Sequence, residues 1–97
     1  MLIGKKLTAA INAQVGNELF ASTQYVQVAA YFDGEALPVL AAHFYKQADE
    51  ERMHAMKLAK YVVVAGGELK IPAVPAPTAG FKYALEAVTL ALSSELK

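Results

Sequence analysis

The feature that most constrains this chain is a pair of long segments with helical periodicity, one on each side of a short turn. Residues 5–32 and 38–65 repeat apolar side chains every three or four positions, which is the spacing of one face of an α-helix. Between them, Asp33-Gly34 is a turn signal, and Pro38 suits the first turn of a helix, where its missing N–H needs no partner. A connection this short makes the two predicted helices antiparallel neighbours.

The apolar positions of each predicted helix fall on one side and form a stripe. The stripe of the first helix is Leu7, Ile11, Tyr25, Ala29 and Phe32. The stripe of the second helix is Leu40, Phe44, Gln47, Glu51, His54, Leu58, Tyr61 and Ala65. Two long helices that turn such stripes toward a common core indicate a helical bundle.

A third helix is predicted after a segment that its prolines keep extended. Gly66-Gly67 ends the second helix, and residues 68–77 hold three prolines, which the interior of a helix does not tolerate. Thr78 is a suitable N-cap for a helix that begins at about residue 79. The stripe of this helix is Phe81, Leu85, Val88, Leu92 and Glu95. The sequence therefore predicts an all-α fold, an antiparallel hairpin plus a short third helix.

The apolar content predicts self-association. Apolar residues make up 56% of the chain, more than a typical soluble domain carries. The 97 residues are expected to form one small domain, residues 1–97, and a small domain buries a limited share of its surface on its own. We therefore expect at least a homodimer.

Charge and cysteine content narrow the classes of function. The 9 basic and 9 acidic residues cancel, which gives little electrostatic support for binding nucleic acid. The absence of cysteine excludes thiolate chemistry and iron–sulfur clusters. No stretch reaches the ~20 apolar residues of a membrane span, and polar residues interrupt the N-terminal segment too often for a signal peptide. We expect a cytoplasmic protein that contacts neither nucleic acid nor membrane.

Three charged or titratable residues lie within the apolar stripes. Glu18 is seven residues from both Ile11 and Tyr25, so the three side chains point in nearly the same direction. Glu51 and His54 are three residues apart, on one side of the second helix. Burial of an unpaired charge is costly, and carboxylates with one imidazole suit Fe(II) or Mn(II). Carboxylate-bridged di-iron bundles take Glu from two helices and Glu-x-x-His from two others.

Each of these residues also has a plainer interpretation. Glu18 alone is more often a solvated residue at the edge of a stripe, and Glu-x-x-His occurs often by chance. Glu50 could pair with His54 one turn further on. His43 lies 11 residues before His54, or ~16 Å along the helix axis, too far to share a metal. The tyrosines of the stripes, Tyr25 among them, would simply line the core. The residues alone leave the metal site and a metal-free core both open.

Several segments resemble the bacterial non-haem ferritins, which belong to the ferritin-like di-iron family. The similar segments are Asn17-Glu18-Leu19, Ala21-Ser22, Tyr25, Tyr31-Phe32-Asp33, His43-Phe44-Tyr45, Glu50-Glu51-Arg52-Met53-His54-Ala55, Gly67-Glu68, Ile71-Pro72 and Val74. The resemblance covers nearly the whole chain and implies a ferritin-like four-helix bundle. Members of the family carry four long helices in one chain, whereas the pattern here reaches only a third helix.

The resemblance implies iron storage and detoxification by a ferroxidase, an oxidoreductase that oxidises Fe(II) with O₂ or peroxide at a di-iron site. By resemblance, Glu18 is a terminal ligand of the first iron, His54 binds the same iron and Glu51 bridges the two irons. Tyr25 would stand beside the site, close enough to tune it or to donate an electron. Glu95 matches the third-helix ligand of the second iron.

Two further expectations follow from the residues around the bridging position. Glu50 matches an acidic residue that assists an accessory iron site in some family members. Haem-binding relatives place Met directly after the bridging Glu, and Arg52 stands there instead, so haem is not expected.

A second copy of the chain is expected to complete the bundle. Two chains that pair their first two helices about a two-fold axis would each contribute Glu18, Glu51 and His54 to one shared site. Two other functions stay open, a di-iron oxidase or peroxidase that stores no iron and a metal-free helical assembly module.

Overall fold

A computed structural model describes residues 2–95 of the chain, with side chains as far as residue 93. Helix α1 spans Lys5–Gly34, α2 spans Pro38–Val64 and α3 spans Ala84–Glu95, and no strand occurs among the described residues. The all-α prediction is confirmed, and both long helices lie within two residues of their predicted limits. The described part is elongated, with principal extents of 51 × 18 × 18 Å.

The hairpin of α1 and α2 closes through a tight backbone turn. The N–H of Leu37 donates to the carbonyl of Phe32 at 2.9 Å, and Ala36 takes the left-handed conformation with φ +57°. The α2 residues that pack against α1 are mostly alanine, which lets the two helix axes approach closely. Three rings fill the core near the turn, because Phe44 stacks on Tyr25 at a centroid distance of 6.0 Å and on Phe32 at 5.6 Å.

The segment 65–83 runs back along α1 in the direction of that helix. The first attachment is the side-chain amide of Asn12, which donates to the carbonyl of Glu68 at 3.0 Å. The ring of Pro72 then lies directly on Gly16, where an added Cβ would stand 2.6 Å from the proline Cγ. The residue at position 16 must therefore be glycine if the segment is to lie this close. We call residues 65–83 the crossover segment.

The prediction that α3 begins at about residue 79, with Thr78 as its N-cap, is wrong. The helix begins at Ala84. Both backbone polar groups of Thr78 bind the side chain of Gln24, which donates to the Thr78 carbonyl and accepts from its N–H, each at 2.9 Å. This pairing holds residue 78 in the extended crossover segment, and Gly80 with φ +74° turns the chain once more before the helix.

The buried face of α3 differs from its predicted stripe. The fully buried residues are Ala87 and Ala91, whereas Leu85 and Leu92 are 69% and 56% exposed. The small side chains face inward because α3 packs closely on α1. Glu95 is the last residue of α3, and its side chain lies outside the described residues. Within residues 2–95, no helix combines the length and apolar character that a membrane crossing requires.

Candidate metal centre

Glu18, Glu51 and His54 meet near the middle of the hairpin. Glu18 projects from α1, and the other two project from successive turns of α2. One ligand atom from each side chain lies within 4.8 Å of the others. The register that brings them together is fixed by a buried hydrogen bond, in which the Ser22 hydroxyl donates to the carbonyl of Ala48 at 2.8 Å. The structure thus joins the three residues that the sequence singled out.

The cluster has separations close to those of ligand atoms that surround one cation. The Nδ1 atom of His54 lies 3.7 Å from Glu18 Oε2 and 3.9 Å from Glu51 Oε2. Ligand atoms about 2.1 Å from one ion and at right angles to each other would be roughly 3 Å apart. The side chains of Glu18 and Glu51 are 17% and 21% exposed, and that of His54 is 56% exposed. The two carboxylates are therefore mostly enclosed, while the imidazole borders solvent.

The surroundings of the Glu18 carboxylate favour a cation beside it. Its Oε2 atom is shielded from solvent and accepts no hydrogen bond, an arrangement that favours a cation beside it. Partial burial raises the pKa of Glu18, but interactions with Glu51, Gln14 and the charge of His54 together lower that pKa below its ordinary value. The group is consequently ionised at neutral pH, as a metal ligand must be.

A cavity of about 650 Å³ opens beside the cluster, between the helices and the crossover segment. Gln14 and Asn17 line it from α1, while Pro72 and Pro75 line it from the crossover segment. The cavity connects the three side chains to solvent, so an ion and a small oxidant such as O₂ can reach them. Its volume leaves room for more than one ion.

The other predicted site residues are not part of the three-residue cluster. Tyr25 is fully buried two turns along α1 from Glu18, where it stacks on Phe44. Glu50 precedes Glu51 on α2, and its side chain points about 100° around the helix from that of Glu51. The side chain of Glu95 lies outside the described residues. The roles assigned to these three residues stay predictions.

Two glutamines with structural roles were missed in the sequence. Gln14 donates from Nε2 to Glu18 Oε1 at 2.9 Å, and its four-residue spacing from Glu18 is a signal that could have identified it. Gln24 is fully buried and holds Thr78, a contact between residues 54 positions apart. No local pattern marks such a contact, because it exists only once the crossover segment has folded back on α1.

Residues 8–97 match the family model described as "Ferritin-like domain". The chain is 43% identical to Ferritin BfrB of Mycolicibacterium smegmatis over 90 residues, which cover 93% of this chain and 50% of that protein. It is 37% identical to the bacterial non-heme ferritin of Staphylococcus aureus over 94 residues, 97% of this chain and 57% of that protein. The chain spans about half the length of the curated relatives it matches.

Solved structures of the same kind superpose closely on this chain. An open pore ferritin from the hyperthermophilic archaeon Archaeoglobus fulgidus has a TM-score of 0.89 at 32% identity, over 97% of this chain and 58% of that one. A ferritin from Chlorobium tepidum has a TM-score of 0.90 at 30% identity, over 98% of this chain and 58% of that one.

Proposed function

This chain belongs to the ferritin-like family, and on that premise we propose that it binds Fe(II) at Glu18, Glu51 and His54 and oxidises it with O₂ or peroxide. The observation that carries the proposal is the cluster itself. Three ligand atoms from two facing helices lie within 4.8 Å of one another, and both carboxylates are mostly enclosed. A solvated pair of surface acids has no such enclosure.

The donor set suits iron as the substrate. Carboxylate oxygens with one imidazole bind Fe(II), and they would accept Mn(II) as well. Two negative charges stabilise Fe(III) more than Fe(II), so the site favours loss of an electron. In the proposed reaction two Fe(II) ions each lose one electron, and O₂ takes up both electrons with two protons. We propose that the ferric product is then stored, which removes reactive Fe(II) from the cytoplasm.

The three residues take different roles in this proposal. Glu18 and His54 bind the first iron, because the shielded Oε2 of Glu18 already faces Nδ1 of His54. Glu51 bridges to a second iron in the neighbouring cavity, which its carboxylate borders. Tyr25 stands two turns away as an electron donor, while Glu50 assists an accessory iron and Glu95 binds the second iron.

We propose that a second copy of the chain supplies the remaining ligands. The described helices bring together one Glu and one Glu-x-x-His pair, whereas di-iron bundles bring together two of each from four helices. The 56% exposure of the His54 side chain supports a site that further groups cover. A homodimer that pairs α1 and α2 of each chain completes a four-helix bundle with two-fold symmetry.

Stopped-flow oxidation tests the proposed reaction. Fe(II) is loaded without oxygen, O₂ is admitted, and formation of ferric species is followed by absorbance. Glu51→Ala should slow this step by about a hundredfold or more, since it removes the proposed bridge. Mutation of residues that only orient metal ligands already costs about 10–100-fold, and loss of a ligand should cost at least as much. Asp49→Ala is the matched control, because Asp49 is an exposed acid on the far side of α2.

The two variants separate the proposal from general charge effects. A rapid step that survives Asp49→Ala and disappears in Glu51→Ala supports it, provided that circular dichroism shows the helices intact. Equal rates in the two variants would exclude a specific site. Oxidation without retention of ferric iron would favour a di-iron oxidase, and no oxidation above buffer would favour an assembly module.

A further inference from the structure

Two side-chain amides form a short hydrogen-bonded chain that ends on the Glu18 carboxylate. Asn17 donates from Nδ2 to Gln14 Oε1 at 3.3 Å, and Gln14 donates from Nε2 to Glu18 Oε1 at 2.9 Å. All three residues lie on α1, at helical spacings of three and four residues. The amides of Gln14 and Asn17 also line the cavity that holds the cluster.

The hydrogen-bonded amides place the two carboxylate oxygens of Glu18 in different environments. Oε1 accepts the hydrogen bond from Gln14, whereas Oε2 is shielded, accepts none and faces Nδ1 of His54 at 3.7 Å. An oxygen that already accepts an amide N–H is a poorer metal ligand, since the donor occupies one lone pair and the ion repels the N–H dipole. The free oxygen is therefore the one that points into the cluster.

The orientation of the Gln14 amide depends on Asn17. An amide presents either its NH₂ or its oxygen to a neighbour, and an oxygen turned toward a carboxylate would be repelled. The Asn17 donor satisfies Gln14 Oε1, so the NH₂ group stays directed at Glu18. Loss of Asn17 frees the amide to rotate and weakens the distinction between the two carboxylate oxygens.

We propose that Gln14 and Asn17 are positioning residues that make Glu18 a one-oxygen metal ligand through Oε2. This inference rests on the proposed function and deepens it, because it assigns how one ligand coordinates. The alternative role is purely structural, in which Gln14 and Glu18 form an ordinary surface pair that adds slightly to the stability of α1.

Anaerobic Co(II) is a suitable probe, since the intensity of its d–d absorption bands falls as the coordination number rises. Gln14→Met keeps the length of the side chain and removes the donor. We expect it to release Oε1, so that Glu18 coordinates through both oxygens and the bands of the Co(II)-loaded protein weaken. The added ligand oxygen strengthens binding and the lost orientation of Glu18 weakens it, so the band intensity, not the affinity, is the decisive readout.

A matched control and a double-mutant cycle complete the test. Gln27→Met makes the same change on the side of α1 opposite Glu18 and should leave the Co(II) spectrum and affinity at wild-type values. Asn17→Ala should shift the spectrum in the same direction as Gln14→Met. Because Asn17 acts through Gln14, the double variant should equal Gln14→Met alone.

The outcomes distinguish this inference from the proposed function. Gln14→Met with a wild-type spectrum overturns the positioning role while the metal site stands. Additive effects in the double variant overturn the role of Asn17 as the partner of Gln14. If wild-type protein binds no Co(II), the positioning role and the proposed metal site both fail.

Discussion

Gln24→Leu should detach the crossover segment from α1. The native glutamine is fully buried and makes two hydrogen bonds with the backbone of Thr78, each 2.9 Å long. Leucine has a similar volume and no polar atoms, so the packing of α1 changes little. The substitution instead leaves the N–H and the carbonyl of Thr78 without their partners.

The expected loss of stability follows from these two hydrogen bonds. Each unpaired buried backbone group costs about 1–3 kcal/mol, and both groups are only partly buried, so water replaces some of the lost interaction. The lower end of the range applies to each bond, which gives about 2 kcal/mol for the pair. In a chain of this size that corresponds to a fall in Tm of roughly 8–15 °C.

Thermal unfolding followed by circular dichroism measures this loss at one fixed protein concentration. Gln27→Leu is the control, because Gln27 lies on the same helix three residues away and is only half-buried. It should shift the Tm by less than about 3 °C, as surface substitutions do. A Gln24→Leu protein that unfolds at the wild-type temperature would show that the two hydrogen bonds between Gln24 and Thr78 contribute nothing to stability.

Two further predictions follow from other contacts. Gly16→Ala should stabilise α1 by about 1 kcal/mol through helix propensity and destabilise the fold by about 1–3 kcal/mol through the clash with Pro72. Urea unfolding should therefore show a net loss of up to about 2 kcal/mol in the free energy of unfolding. A clear gain in stability would contradict the close packing. Burial, together with Glu35 and Glu86, raises the pKa of Tyr31 above its ordinary value. The folded state therefore favours the neutral phenol of Tyr31. The contribution of this phenol to the free energy of unfolding is complete below pH 10 and is lost as pH rises through the folded-state pKa. Absorbance titration at 295 nm should show that Tyr31→Phe removes one late-ionising phenol and leaves that of Tyr45, whose pKa burial and Asp33 also raise. If Tyr31→Phe instead loses absorbance in the ordinary range of tyrosine ionisation, the shift at Tyr31 is excluded.

Periodicity in the sequence was sufficient to predict the two long helices, because their limits depend on local signals. Pro38 begins α2 as predicted, and Gly66 with φ +83° follows its end. Asp33-Gly34, predicted as the turn, instead forms the last residues of α1, and the turn follows with left-handed Ala36. The start of α3 could not be predicted in this way. Thr78 has the side chain of an N-cap residue. A buried glutamine 54 residues away binds its backbone, however, and holds residue 78 in an extended conformation.

The sequence was sufficient to predict the residues of the candidate site but not the orientation of their side chains. Helical spacing placed Glu18, Glu51 and His54 on inward stripes, and the resemblance to ferritins predicted that the three would meet. The orientation of Glu18 by Gln14 depends on side-chain rotamers, which spacing alone does not determine. The buried faces were also shifted toward alanine, since close approach of helices favours small residues over the larger ones that form the predicted stripes.

The proposed iron site has a direct test in the number of Fe(II) ions bound per chain, measured together with the mass of the assembly. Anaerobic calorimetric titration gives the stoichiometry, and analytical ultracentrifugation of the same sample gives the mass. We expect about one tightly bound Fe(II) per chain and hence about two per dimer, with both lost in Glu51→Ala. A folded wild-type protein that takes up no Fe(II), or a Glu51→Ala protein that binds as much as wild type, would contradict the assignment of Glu18, Glu51 and His54 as an iron site.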